Sequence, residues 1–283
     1  MKNNVLLGAI ALVVAEAFFA GVGSIVKLLS DDLSESQMIF FRNLFALLFL
    51  GPWCLKKGPE ALHTQHIGLH LFRAATGLSG MYCFFYVLAS MPFTSAIMAL
   101  KMAPFFIPIV ANVWLKENIL WKTVVAIIIG FVGVAFIINP QQGIQLNLLF
   151  IVIFCALLVA ITKCTIRKLA DTEPAVRIVF YFISASTLFS FPLIIIDWQP
   201  ISDVNLLLLV IIGALSVCGQ LLMTQAYHYA SPVKIGLLGY SSVFFAAIIG
   251  YVFWDEPLTL GMFFGAVLLI WAANVTIRQR WFI

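Results

Sequence analysis

The sequence predicts an all-α polytopic membrane protein, with ten transmembrane helices forming two inverted five-helix repeats around a central cavity. Three observations predict it. Of 283 residues, 63% are hydrophobic and only 10% charged, with a mean hydropathy of +1.08; a soluble chain of this size needs far more polar surface to cover its core. Apolar runs of about twenty residues, enough to cross a hydrocarbon core, follow one another with short connections and leave no separate soluble domain. A segment from the first half also recurs in the second.

Taken in order, the runs are Val5–Leu29, Gln37–Leu55, Gly68–Ser90, Phe93–Leu115, Trp121–Asn139, Leu146–Leu169, Pro174–Ile196, Val204–Tyr229, Pro232–Trp254 and Thr259–Ile277. The first lacks a small-residue cleavage site and is long enough to span, so it reads as a retained helix and not a leader. Loop charge orients the set. With the N-terminus in the cytoplasm, the inner segments carry Lys2, Lys56, Lys57, Lys116, Lys122, Arg167, Lys168, Arg177, Arg278 and Arg280, ten of the sixteen Lys and Arg. The outer connections carry none, and hold Asp31, Asp32, Glu35, Asp197, Asp203, Asp255 and Glu256. This positive-inside bias places both termini in the cytoplasm, and in a bacterium places the chain in the inner membrane.

The repeat pairs Tyr86–Asn118, "YVLASMPFTSAIMALKMAPFFIPIVANVWLKEN", with Tyr227–Pro257, "YHYASPVKIGLLGYSSVFFAAIIGYVFWDEP". An offset of 139 aligns Phe105 with Phe244, Trp114 with Phe253 and Glu117 with Glu256. The halves are therefore residues 1–140 and 146–283. An odd number of spans in each half makes the second copy enter from the opposite side, the usual construction of a secondary transporter.

At these residues the chain resembles the EamA-type carriers of the drug/metabolite transporter superfamily. The likeness rests on the order and spacing of Phe41-Arg42, "LFRAATGLSGMYCFFYVLASMP", Ala103-Pro104, "WLKENILWKTVVAIIIGFVGV" and "LLGYSSVFFAAIIGYVFWDEPLTLGMFFGAVLLI", and covers essentially the whole chain. It implies ten helices, a cavity lined from both halves, and alternating access for small metabolites. Within the superfamily the chain looks closest to carriers of the S-adenosylmethionine-uptake kind. Val243 stands where many second repeats carry the proline matching Pro104, a departure from the family pattern that weighs against a symmetrical helix break in span nine.

Two charges fall near the middle of their spans, Glu16 in "VVAEAFFAG" and Lys101 in "ALKMAPFF". Each costs at least ~2.5 kcal/mol on the insertion scale, so each needs a reason to be there. Their opposite signs suggest that they meet, either in a substrate and coupling site or as a buried pair that fixes packing. Pro104 and Pro108 follow Lys101 and withdraw amide protons, which either frees carbonyls toward a cavity or only kinks the helix. Tyr240, the counterpart of Lys101, joins Tyr82 and Gln220 as polar groups near mid-depth. Lys27, Arg42, Arg73, Lys163 and Lys234 lie nearer span ends and read as interfacial anchors, with Arg42 and Arg73 also placed to face a cavity mouth.

Other signals carry less. The five cysteines show no paired spacing, and read as small packing residues. His63, His66 and His70 read as a plain solvent-facing connection and not a metal site. Gly77, Gly80, Gly261 and Gly265 suit close helix approach, and Glu117 and Glu256 read as helix-start or gate residues. No nucleophile elbow, phosphate loop or cofactor motif is present, which argues against an enzyme, and the basic residues form no nucleic-acid patch. The expected partners are the bilayer, a small-molecule substrate, and a coupling proton or counter-substrate. The expected function is secondary transport of a small polar or zwitterionic metabolite, S-adenosylmethionine-like or amino-acid-like. The rival within transport is an exporter of amino acids or aromatic metabolites; the rival outside it is a channel or structural subunit of a membrane assembly.

Overall fold

A computed structural model describes residues 4–115, 146–230, 232–257 and 259–278, together with positions 125, 128, 129, 132, 133 and 136. Among these residues the protein is all helix. The elements are α1 (Val5–Leu29), α2 (Glu35–Lys57), α3 (Ile67–Ser90), α4 (Phe93–Leu100), α5 (Ala103–Leu115), α6 (Leu146–Leu169), α7 (Ala175–Ile194), α8 (Asp203–Tyr229), α9 (Pro232–Ile235), α10 (Ser241–Trp254) and α11 (Leu260–Arg278). Short 3-10 turns occupy Pro59–Leu62 and Gly236–Tyr240. Among the described residues, seven stretches, one of them formed by α4 and α5 together, are long and apolar enough to cross a bilayer, and Leu238–Trp254 is a shorter apolar helix. The fifth expected span, Trp121–Asn139, lies largely outside the described residues, so the count of ten remains an expectation.

Polar side chains start the helices where the apolar runs begin. Asn4, Ser34 and Ser202 each accept the amide proton three residues on, which satisfies an otherwise orphaned N–H. At the end of α2, Gly58 takes a φ of 76°, a left-handed turn that costs glycine little. Helix α2 runs past its apolar stretch at both ends, because its backbone ladder continues into polar flanks.

The fourth span is broken where the lysine stands. Helix α4 ends at Leu100, Lys101 and Met102 form a turn, and α5 restarts at Ala103 with Pro104 in its first turn, where a missing N–H costs nothing. The ninth span is broken as well, contrary to the expectation drawn from Val243: α9 gives way to the 3-10 turn Gly236–Tyr240 before α10 begins. Gly236 and Gly239 supply the reason, since their low helix propensity and small size allow a tightened turn without proline. The two breaks fall at equivalent places, Lys101 and Tyr240 being 139 residues apart.

Packing is reciprocal. Helix α1 lies chiefly on α8 and α3 on α6; α5 packs on α6 and α1 on α10; α2 packs on α7. Where α2 crosses α8, a Cβ at Gly213 would lie 2.5 Å from Phe45 Cβ and 3.0 Å from the Ala46 backbone nitrogen, so only hydrogen fits. The largest core cluster joins residues of both halves, among them Phe85, Phe93, Phe105 and Phe182.

Each end of the bundle is tied by hydrogen bonds between the halves. At the acidic end, Gln37 and Gln199 exchange bonds of 2.8 and 2.9 Å, and Asn205 donates to Asp32 at 3.1 Å. Asp255 ends α10 with a φ of 49°, and the reversed chain carries the Glu256 carboxylate onto the start of α4, where it accepts the Phe93 and Thr94 amides at 2.6 and 2.8 Å. Gly250 leaves room there, because a Cβ would collide with the Thr94 hydroxyl. At the basic end, Thr64 donates to Glu173 at 2.5 Å, Arg177 bonds the same carboxylate at 2.6 Å, and Tyr181 donates to the Leu62 carbonyl at 2.8 Å. Burial would raise the Glu173 pKa, yet the Thr64 hydroxyl, the Arg177 guanidinium and neighbouring His70 together hold it below the ordinary value.

Candidate functional site

Both helix breaks converge on Glu16. Lys101 ends α4 at the first break, so its side chain leaves the helix where the wall is interrupted, and its Nζ lies 2.6 Å from Glu16 Oε2. The other carboxylate oxygen faces the second break: a Cβ built on Gly239 would lie 3.4 Å from Glu16 Oε1. Glu16 is 3% exposed and near the middle of α1, a helix that packs against elements of both halves. A short, charge-assisted bond of this kind is strong in a low-dielectric setting, and losing either partner strands a buried charge.

The pair lies on the wall of a cavity of about 190 Å³. Helices α1, α2, α3, α4, α6, α7, α8 and α10 all contribute lining side chains, so both halves build it. On α3 the lining residues are Arg73, Thr76, Gly77, Gly80, Met81, Phe84 and Phe85. Their spacing of three and four is one face of a helix.

Two arginines, read as interfacial anchors with a cavity mouth as the alternative, are buried in this wall. Arg42 is 4% exposed and Arg73 1%. Arg42 Nε donates to the Ser216 hydroxyl at 2.8 Å, and its Nη1 to the Asn43 amide oxygen at 3.0 Å. The Arg73 guanidinium lies over the Phe182 ring, 3.4 Å from the centroid, and donates from Nη2 to Gln220 Oε1 at 2.8 Å. Sequence depth misjudged both, because a long side chain aimed at the bundle axis carries its charge away from the level of its own Cα. The usable signal was the α3 face itself, on which Arg73 heads the small and polar stripe. Lys163, on α6, also lines the cavity.

Of the other expected site residues, Gln220 is on the wall and 9% exposed. Tyr82 and Tyr240 are not. Tyr82 follows Met81 and so points away from the α3 lining face, into partly buried packing. Tyr240 is 6% exposed and off the wall, while Ser242, in the first turn of α10, lines the cavity. Pro104 and Pro108 lie in α5, and among the described residues α5 supplies no lining side chain. His70 was read as solvent-facing; it is buried, 3.9 Å from Glu173 and tilted against the Tyr181 ring with centroids 4.5 Å apart. Gly77 and Gly261 do sit at close approaches, to Phe182 and to the Phe136 backbone. Glu256 caps a helix start of the other half, while Glu117 lies outside the described residues.

The sequence model of the EamA-like transporter family matches this chain twice, over residues 6–139 and 146–278. The chain belongs to that family. Membership makes it a multi-pass membrane protein of a small-molecule transporter family. Among curated relatives, a pseudopaline exporter of Pseudomonas aeruginosa is 27% identical over 99% of this chain and 98% of that one. An S-adenosylmethionine uptake transporter of Rickettsia bellii is 26% identical over 86% of this chain and 84% of its own length, in keeping with the resemblance noted from the motifs. A riboflavin transporter of Brucella anthropi is 25% identical over 85% and 87%. A solved crystal structure superposes with a TM-score of 0.72 at 13% identity, covering 99% of this chain and 98% of that one, a likeness of fold. The relatives thus include importers and exporters by name, with chemically unlike cargoes.

Proposed function

We propose that this member of the family is a secondary carrier that moves a small polar or zwitterionic metabolite across the bacterial inner membrane by alternating access. Its halves, residues 1–140 and 146–283, act as inverted repeats that rock about the cavity, with both termini in the cytoplasm. The observation that carries this reading is the Glu16–Lys101 pair, held between two helix breaks on the wall of a cavity built by both halves. Reciprocal packing of α1 on α8 and α3 on α6 supports a two-fold relation between the halves. Separate charge at each bundle end supports the orientation.

The pair offers the cargo an acid and an amine in one place. Lys101 can hold a carboxylate, while Glu16 can hold an ammonium group or exchange a proton as the coupling step. Gln220 adds a neutral amide to the same cavity wall. Small freed motions at two helix breaks suit a site whose walls exchange partners.

The test separates transport from packing. Glu16→Gln and Lys101→Met each abolish uptake, and each loses ~3–5 kcal/mol of stability through the stranded partner. The double variant Glu16→Gln/Lys101→Met regains most of that stability but stays inactive. Transport restored in the double variant at normal membrane levels would assign the pair to packing alone. Saturable uptake with accelerated exchange by internal cargo marks a carrier; conductance without saturation would mark the channel reading.

A further inference from the structure

We infer that the cargo of this cavity is an organic anion carrying two or more oxyanion groups, carboxylate or phosphate, an inference that rests on the carrier reading above. Among the described residues, the lining holds four cationic side chains, Arg42, Arg73, Lys101 and Lys163, against one carboxylate, Glu16. Glu16 is already engaged by Lys101. Three positive charges therefore face the cavity without an anion on its wall.

The groups around the arginines do not cancel that charge. Arg42 is met by a hydroxyl, an amide oxygen and the Met81 sulfur at 3.1 Å, and Arg73 by the Gln220 amide and an aromatic face. All are neutral. They orient the guanidinium forks and leave their charge in place. Arg73 Nε and Nη1 are buried and meet no hydrogen-bond acceptor among the described residues. A guanidinium with unused donors in a buried site is costly unless something occasional satisfies it, and its planar fork matches carboxylate and phosphate oxygens. A monoanion would leave most of the excess in place, whereas two or three oxyanion groups would remove it. The remaining wall, with Phe19, Phe84, Phe85 and Phe182, suits the carbon frame that joins them.

Thermal unfolding of the purified protein in detergent, at fixed chloride, tests this with four probes: citrate, glucose 1,6-bisphosphate, glucose and spermidine. Citrate or the bisphosphate raises the midpoint saturably; glucose and spermidine do not. Which of the two anions acts distinguishes carboxylate from phosphate. Arg73→Gln and Arg42→Gln each weaken the anion's apparent affinity at least about tenfold, and Arg73→Lys, which keeps the charge but not the fork, weakens it less. All three variants are taken only as monodisperse protein that unfolds cooperatively. No shift with either anion, or an affinity unchanged in both glutamine variants, overturns the inference. Proteoliposomes keep the two readings apart: saturable exchange of spermidine or glucose would overturn the anion while leaving a carrier. Failure of every probe to move saturably would also overturn the anion, while the carrier reading stands or falls on the Glu16→Gln and Lys101→Met variants above.

Discussion

Glu173 shows how single residues hold the basic end together. It sits in the connection between α6 and α7, 4% exposed, and binds Thr64 from the other half as well as Arg177 one turn on. Its pKa is held below the ordinary value of 4.5, so the folded state binds fewer protons there than the unfolded state. The stabilisation is therefore full at neutral pH and is lost as pH falls through the lowered value. Glu173→Gln should cost ~1–3 kcal/mol at pH 7 and flatten the acid-side loss of melting temperature, measured from about pH 7 to pH 4. Parallel curves for the two proteins would show that the carboxylate charge does not matter there. Charges of this kind were partly legible in the sequence. Glu16 and Lys101 stood out because an apolar background makes any charge conspicuous. Arg42 and Arg73 were placed too shallow because counting residues from a span end ignores where a long side chain points.

The elements are shaped by where backbones must pass closely. Gly213 on α8 has Phe45 and the Ala46 backbone against it, whereas Gly51, near the end of α2, has no heavy atom within 4 Å of its absent Cβ. Gly213→Ala should lower stability by ~1–3 kcal/mol through overpacking that backbone cannot relieve. Gly51→Ala should be neutral or slightly stabilising, as alanine favours helix over glycine. Equal melting temperatures for both variants would mean that α2 and α8 separate more easily than their contact suggests. The helix breaks teach a related lesson. The first was readable from Lys101 and Pro104. The second was missed because proline was the expected signal, whereas Gly236 and Gly239 loosen the ninth span by another route.

For the whole molecule, two ends of opposite charge and a bundle tied across its halves at both ends describe a body with a closed seam at each mouth. Alternating access requires those seams to part in turn. The proposed orientation makes a direct statement about both termini: reporter domains active only in the cytoplasm should work at either end of the chain, and reporters active only outside should fail at both. A split result would remove the inverted-repeat reading, which needs an even total of spans. Periodicity and loop charge were enough to read the all-helical membrane class, because each depends on local composition. The cavity's surplus of positive charge was not readable, since it arises from four helices meeting in space.

The carboxylate that Glu256 extends to α4 has an experimental use. It covers the amides of Phe93 and Thr94 from a segment more than 160 positions away. Those two protons can trade with solvent only when that side chain lets go. Their deuterium uptake, followed by mass spectrometry, becomes a built-in clock for how often the acidic mouth comes apart, and a bound cargo that holds the mouth shut should slow it.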